Sequence, residues 1–336
     1  MSEVGPSPEI ETEKEATGIS LAKEIADLRD GAETDEDFQV ILEKTQQLKE
    51  LFGIGRVETK LSGEISEQIE KAKEILGSDV FGPEAIIEAF GESVELGEIP
   101  PIPFSSEELE KAKELGQMLI LRAGKLTDGR NLGMKEIGEI LEDKVKDDGK
   151  VFYDSSWYNE EKFFIEDPIE NGWALVSKDV IPDSTSKDYW QQSRELAIYI
   201  KDQVFSGTPN EEYQEAITEF EKYTSDNFAG KSDDEINNLL KETGWEKYAG
   251  GLSNLKLNQL CRQSPAETLY DLIVHFQNTG ERLLPDKYTW TKRRYSGGGL
   301  VSVGCVRVRW CQCLRGRAWL SRWGSRRCFL PQSLIL

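Results

Sequence analysis

The chain has 336 residues, enough for two ordinary domains, and its 41 Lys and Arg against 62 Asp and Glu give a formal net charge of −21 at pH 7. This acidity argues against binding to nucleic acids or to anionic membrane surfaces, because Lys and Arg supply that affinity. The single histidine, His275, excludes by count most His-based triads and zinc sites with two or three histidines.

The N-terminal part of the chain is predicted to contain a disordered segment followed by a helical one. Residues 1–18 are acidic and contain two prolines, so we predict disorder there. No basic and apolar signal sequence begins the chain and no stretch is long enough to span a bilayer, so a cytoplasmic location is expected. Residues 19–146 are predicted to be helical, with apolar positions at helical spacing in Asp35–Phe52, Ser62–Leu76 and Met134–Val145.

A further helix is predicted after the proline-rich run Ile99–Phe104, which should be extended. Ser105 and Glu108 have the spacing of a capping box, and the predicted helix runs to Ala123 and stops at Gly124. Together these elements indicate a solvated helical bundle over residues 19–146.

Residues 147–304 have an α+β pattern. Short aromatic and β-branched runs predict strands at Lys150–Tyr153, Lys162–Ile165 and Trp173–Val176. A helix is then predicted from Lys187 to Phe205. Three more are predicted to begin at capping boxes: Thr208–Glu211, with Pro209 as the first helical residue, Ser232–Glu235, and Ser264–Glu267, whose helix runs to Asn278. Strand patterns return after Pro285, on both sides of a Gly297–Gly299 hairpin.

No pattern of catalytic or metal-binding residues emerges. His275 lies beside the apolar face of a predicted helix and is expected to be packed, since no Ser or Cys nucleophile accompanies it. The four cysteines after residue 301 include no C-x-x-C pair, so no metal is expected, and no cofactor motif is found. Asp167, which precedes Pro168, and Asp183 are interpreted as turn residues. We therefore expect a non-enzymatic protein.

Lys292–Tyr295 is a basic cluster in an otherwise acidic sequence. One interpretation is a solvated turn, or salt bridges to the acidic surface. The other is a recognition surface, since Arg, Tyr and Trp are the residues that dominate binding energies.

The last 36 residues have a different composition from the rest. Residues 301–336 contain seven Arg and no Lys, Asp or Glu, so they carry +7 and residues 1–300 carry −28. They also hold four of the five cysteines and three of the eight tryptophans. This mixture is what a G/C-rich gene yields when it is translated out of frame.

Back-translation supports a shifted reading frame from about residue 305. With CGN arginine, TCN serine and CTN leucine codons, the frame that starts one nucleotide into the Cys305 codon has no stop as far as Gln332. That frame permits V-F-G-S-G-G-A-S-V across Cys305–Cys313 and L-G-V-A-F-S-R across Ser325–Gln332. Both are glycine-punctuated strand patterns. We therefore treat residues 305–336 as an aberrant basic tail.

Three segments, Trp173–Lys187, Gln259–Tyr270 and Glu281–Thr291, resemble uncharacterised proteins of candidate-phyla bacteria that end in a glycine-rich stretch and a G-V-x-F-S-R strand. That ending is similar to the variable proteins of diversity-generating retroelements. Their C-terminal domain has a C-type-lectin-like fold related to the formylglycine-generating-enzyme type. The resemblance covers residues 100–304, and it reaches the tail only through the reconstructed frame.

The resemblance implies that residues 147–304 form a C-type-lectin-like α+β domain that displays binding residues on a stable scaffold. Trp290 and Thr291 would belong to the scaffold, and the displayed face would include Arg293, Arg294, Tyr295 and Ser296. An unidentified protein or small ligand would bind there, and a shifted tail would leave the final sheet incomplete. The alternative is an acidic helical scaffold or adaptor that acts through the N-terminal half.

The shifted frame can be tested on the gene itself. Sequencing through codons 300–310 should reveal an inserted or deleted nucleotide relative to an open frame that encodes the glycine-rich ending. An early stop codon in that other frame would contradict the hypothesis.

Overall fold

The computed structural model describes residues 8–31, 40–41, 44–45, 47–48, 62–142, 151–152, 155–185, 187–240, 245–283, 287–306, 309–316, 327–329 and 333–334. The described residues form a mixed α+β structure, as predicted.

Helices make up most of the described structure. In chain order they are α1 (Pro8–Gly31), α2 (Gly63–Leu76), α3 (Pro83–Phe90), α4 (Ser106–Glu114), α5 (Met134–Glu142), α6 (Lys162–Ile165), α7 (Tyr189–Tyr199), α8 (Glu211–Phe228), α9 (Asp233–Leu239), α10 (Trp245–Asn254), α11 (Lys256–Cys261) and α12 (Pro265–Thr279). A π-helical turn, Ile200–Val204, continues α7. Among these helices, none combines the length and the apolar character that crossing a membrane requires.

The strands form three small sheets. They are β1 (Val80–Phe81), β2 (Val94–Glu95), β3 (Gln117–Arg122), β4 (Lys125–Leu126), β5 (Gly172–Ser177), β6 (Lys287–Arg294), β7 (Leu300–Val306), β8 (Arg309–Gly316), β9 (Arg327–Phe329) and β10 (Ser333–Leu334). The first sheet has the order β1-β3-β5-β10, and its central strands β3 and β5 are antiparallel. A second sheet has the order β8-β7-β6-β9, and β2 pairs with β4.

Strands β6 and β7 lie between two hydrophobic clusters. Val301 and Val303 of β7 belong to a cluster with the first sheet, the helices α2–α5 and α12. Trp290 of β6 and Leu300 of β7 belong to a second cluster with α7, α8, α10 and α11. Each large apolar side chain buried in this way contributes about 1.5–3 kcal/mol. The β6–β7 pair is therefore held by burial on both sides.

The predicted capping boxes at Ser105, Ser232 and Ser264 are confirmed. The Ser264 hydroxyl accepts from the Glu267 amide, and the Glu267 carboxylate accepts from the Ser264 amide. Helix α8 differs from its prediction because Asn210 is its N-cap, with its side chain accepting from the Tyr213 amide. Thr208 and Pro209 therefore precede the helix.

The prediction of a purely helical segment over residues 19–146 is wrong. Helix α4 ends at Glu114 because Gly116 adopts a φ of +64°, and Gln117–Arg122 is strand β3. All six residues of β3 are buried, and such a strand presents the continuous apolar run that periodicity does not distinguish from a helix. β3 pairs with β5 across the predicted boundary at residues 146/147.

Gly124 has another role than the predicted helix stop. A Cβ at this position would overlap the carbonyl oxygen of Ile169, so the close approach of two backbone segments requires glycine.

Three other predictions differ from the structure. Lys162–Ile165 is the one-turn helix α6 instead of a strand, and this turn buries both Phe163 and Phe164. Val151 and Phe152 belong to none of the strands named above, and Lys150 and Tyr153 lie outside the described residues. Disorder over residues 1–18 is wrong from Pro8 onward, where α1 begins. Most of the predicted helix Asp35–Phe52 lies outside the described residues.

The second sheet was expected to lack its last strand, but strands on both sides of β6 and β7 are present. β9 pairs with β6 in parallel, and β8 pairs with β7. Ladder pairing uses backbone groups that every residue except proline carries, so this pairing does not require particular side chains in the tail. The shifted frame of the tail stays a prediction.

Candidate ligand-binding site

The predicted site residues Arg293, Arg294, Tyr295 and Ser296 lie together at the tip of the β6–β7 hairpin. The Tyr295 amide donates to the Gly299 carbonyl at 2.9 Å, and the Gly298 amide donates to the Tyr295 carbonyl at 2.8 Å. Gly298 has a φ of +83°, which favours glycine. The predicted Gly297–Gly299 hairpin is therefore confirmed.

Arg293 is tied to the body of the protein. Its Nε and Nη2 donate to both carboxylate oxygens of Asp167 at 2.5–3.0 Å, and Asp167 is buried. These hydrogen bonds raise the pKa of Arg293, because they favour the charged guanidinium. Two parallel bonds fix the orientation of the guanidinium as well as its position. Arg293 therefore anchors the hairpin.

Ser296 and Tyr295 are positioned by the segment around α6. The Ser296 amide and hydroxyl donate to the two carboxylate oxygens of Glu161, both at 2.7 Å. The half-buried Tyr295 ring meets Trp157 edge-on, with 6.1 Å between ring centroids. The tip is thus held by a carboxylate and an aromatic contact.

Arg294 is the exposed cation of the tip. Its Nε donates to the Gly298 carbonyl at 3.1 Å, and its guanidinium passes close to the backbone of Gly250 in α10. Among the described residues, no carboxylate lies within ion-pair distance of it. Arg294 therefore presents its charge at a fixed point of the surface.

A buried ion cluster lies beneath the hairpin. We define it as Arg122 of β3, Glu267 and Asp271 of α12, and Lys292 of β6. Arg122 donates to Asp271 at 2.6 and 3.0 Å and to Glu267 at 3.2 Å. Lys292 Nζ lies 3.4 Å from Glu267, and Gln263 donates to Asp271. Two cations and two anions balance one another in this cluster.

In the buried ion cluster, burial and the neighbouring charges shift the pKa of each group in opposite directions. Burial raises the pKa of Glu267, but the charges of Arg122 and Lys292 outweigh it and lower this pKa to about 2. Burial lowers the pKa of Arg122, but Asp271 and Glu267 raise it by more. For Asp271, burial raises the pKa more than Arg122 lowers it. Glu267 therefore stays ionised at neutral pH and links α12 to β6.

Trp290 and Thr291, which the resemblance assigns to the scaffold, are both buried. The Thr291 hydroxyl donates to the Val301 carbonyl at 2.9 Å. Trp290 meets the Tyr189 ring at 6.0 Å, and the buried Arg262 guanidinium lies 4.1 Å from the centroid of Tyr189.

Sequence reasoning missed the partners of the site. Asp167 was interpreted only as a turn residue, and nothing in the sequence singled out Glu161 or Arg122. His275 is packed, as predicted, because it is buried with Nδ1 3.1 Å from the Glu281 carbonyl oxygen. Burial lowers its pKa.

No protein-family model matches the chain, and neither a curated protein nor a solved structure matches it. Within the described part of the chain, no group of three or more His, Cys, Asp or Glu side chains is placed to hold a metal ion.

The depressed pKa of Glu267 predicts a pH-dependent contribution to stability. Its folded pKa of about 2 lies below the ordinary value of 4.5, so its contribution is fully present above pH 4.5 and is lost as the pH falls toward 2. The stability difference between the wild type and Glu267→Gln should therefore shrink by about 2 kcal/mol from pH 5 to pH 3. Urea unfolding at each pH measures it.

Glu110→Gln, at an exposed position of α4, is the control and should follow the wild-type profile. A Glu267→Gln profile parallel to the wild type would contradict the assignment of the charge.

Proposed function

We propose that the protein is a non-enzymatic ligand-binding protein whose binding surface is the tip of the β6–β7 hairpin. The observation that carries the proposal is Arg294, an exposed cation on a tip held by Asp167 and Glu161. A side chain presented on a rigid support loses less entropy on binding than one on a free loop.

The chemistry of the tip favours an acidic ligand group. Arg presents several donors in a planar fork that suits a carboxylate or a phosphate. Tyr295 adds an aromatic surface, and Arg and Tyr are enriched among the residues that dominate binding energies. Arg293 supports the tip, because its donors already serve Asp167.

We further propose that residues 147–304 form a C-type-lectin-like domain of the kind found in retroelement variable proteins. The support is the resemblance of three segments and the position of Arg293–Ser296 at one hairpin tip. A reverse-transcriptase gene and a template repeat matching codons near 290–335 in the neighbouring DNA would support this assignment. Finding neither would count against it.

The binding surface can be tested by panning a displayed peptide library against the immobilised full-length protein. Enriched peptides should carry acidic residues. Arg294→Ala should weaken their binding by about 2 kcal/mol, because it removes the exposed cation of the tip. Titration calorimetry with one enriched peptide measures the affinity.

The matched control is Arg130→Ala, which removes an exposed arginine that pairs with Asp128 and Glu139. It should leave the affinity unchanged. Equal losses in Arg294→Ala and Arg130→Ala, or no loss in either, would contradict a binding surface at the tip.

A further inference from the structure

The segment 161–167, which contains α6, is hydrogen-bonded to the β6–β7 hairpin at both of its ends. At one end the Glu161 carboxylate accepts from the amide and the hydroxyl of Ser296, both at 2.7 Å. At the other end the carboxylate of Asp167 accepts from the Arg293 guanidinium. The hairpin tip and this segment therefore hold fixed positions relative to each other.

Ile165 lies between these two contacts and is 45% exposed. Its amide donates to the Glu161 carbonyl at 3.1 Å, so Ile165 follows Glu161 by one helical turn on the same face of α6. Phe163 and Phe164 are buried, so another face of this turn supplies the contacts with the core. An exposed aliphatic side chain therefore lies beside the contact between Glu161 and Ser296.

The hairpin tip and Ile165 together combine three kinds of side chain. Arg294 supplies an exposed cation, Tyr295 a half-buried aromatic ring and Ile165 an exposed aliphatic group. We define the tip surface as these three residues together with Ser296. Arg and Tyr are enriched among the residues that dominate binding energies, and removing an exposed aliphatic side chain from water is favourable.

The exposure and charge of this surface favour a protein segment as its partner. Small-molecule sites are concave and bury most of their ligand, whereas Arg294, Ser296 and Ile165 are exposed. The negative charge of residues 1–300 repels polyanions such as nucleic acids. A peptide can instead place one carboxylate on the hairpin and one apolar side chain on α6.

We propose that the tip surface binds a protein segment in which an acidic residue lies close to an aliphatic or aromatic one. The carboxylate pairs with Arg294, and the apolar side chain packs on Ile165. This inference rests on the binding surface proposed above, and it adds α6 to that surface and names the class of partner.

Two displayed dodecapeptide libraries test the inference on the immobilised full-length protein. The acidic–apolar library carries Asp, Ser, Leu or Phe at every position, and the acidic library carries Asp, Ser or Gly. The most enriched peptide of each library is then measured by titration calorimetry. The peptide from the acidic–apolar library should bind with a 1:1 stoichiometry and at least tenfold more tightly than the peptide from the acidic library.

Substitutions locate the apolar contact. Ile165→Ser should weaken binding of the acidic–apolar peptide about fivefold, because the buried aliphatic area is lost. Ile165→Leu keeps that area and should stay within twofold of the wild type. The matched control is Ile198→Ser, which removes an isoleucine of α7 that is 48% exposed, and it should change the affinity less than twofold.

The outcomes separate this inference from the proposed function. A loss of affinity in Arg294→Ala with none in Ile165→Ser would overturn the inference and leave the binding surface at the tip intact. Equal losses in Ile165→Ser and Ile198→Ser would also overturn it. Enrichment of no peptide whose binding depends on Arg294 would overturn both. Unchanged thermal unfolding of each variant verifies that the fold is intact.

Discussion

The buried charge of Arg122 constrains how the first sheet, α12 and the second sheet are arranged. Arg122 lies on β3, and the anions that balance it, Asp271 and Glu267, lie on α12 about 145 residues away in sequence. Glu267 in turn contacts Lys292 of β6. A buried charge that loses its partner costs several kcal/mol. The first sheet, α12 and the second sheet therefore cannot separate without a large loss of stability.

The proposed binding surface at the hairpin tip is attached to this framework. Lys292 of β6 belongs to the buried ion cluster, and the next residue, Arg293, is hydrogen-bonded to Asp167. Arg294 follows it as the exposed cation. On the first sheet, β5 pairs with β3, the strand of Arg122, over its whole length. The position of Arg294 is thus set by a strand whose residues Tyr288–Thr291 are buried, which limits the reorganisation that binding requires.

The sequence predicted the elements that depend on local signals. The capping box at Ser264 and the glycine hairpin at Gly297–Gly299 need only neighbouring residues, and both are confirmed. Strand β3 was predicted as helix, because only its pairing with β5 shows that both its faces are buried. The site residue Arg293 could be named from its basic cluster, whereas Asp167 could not, since 126 residues separate the two.

Unfolding of Arg122→Met in urea tests the central role of the buried ion cluster most directly. Removing the cation leaves Asp271 and Glu267 buried together, so the free energy of unfolding at pH 7 should fall by about 3–5 kcal/mol. Arg130→Met, which breaks an exposed ion pair, should cost under about 1 kcal/mol. A loss in Arg122→Met no larger than that in Arg130→Met would contradict the account.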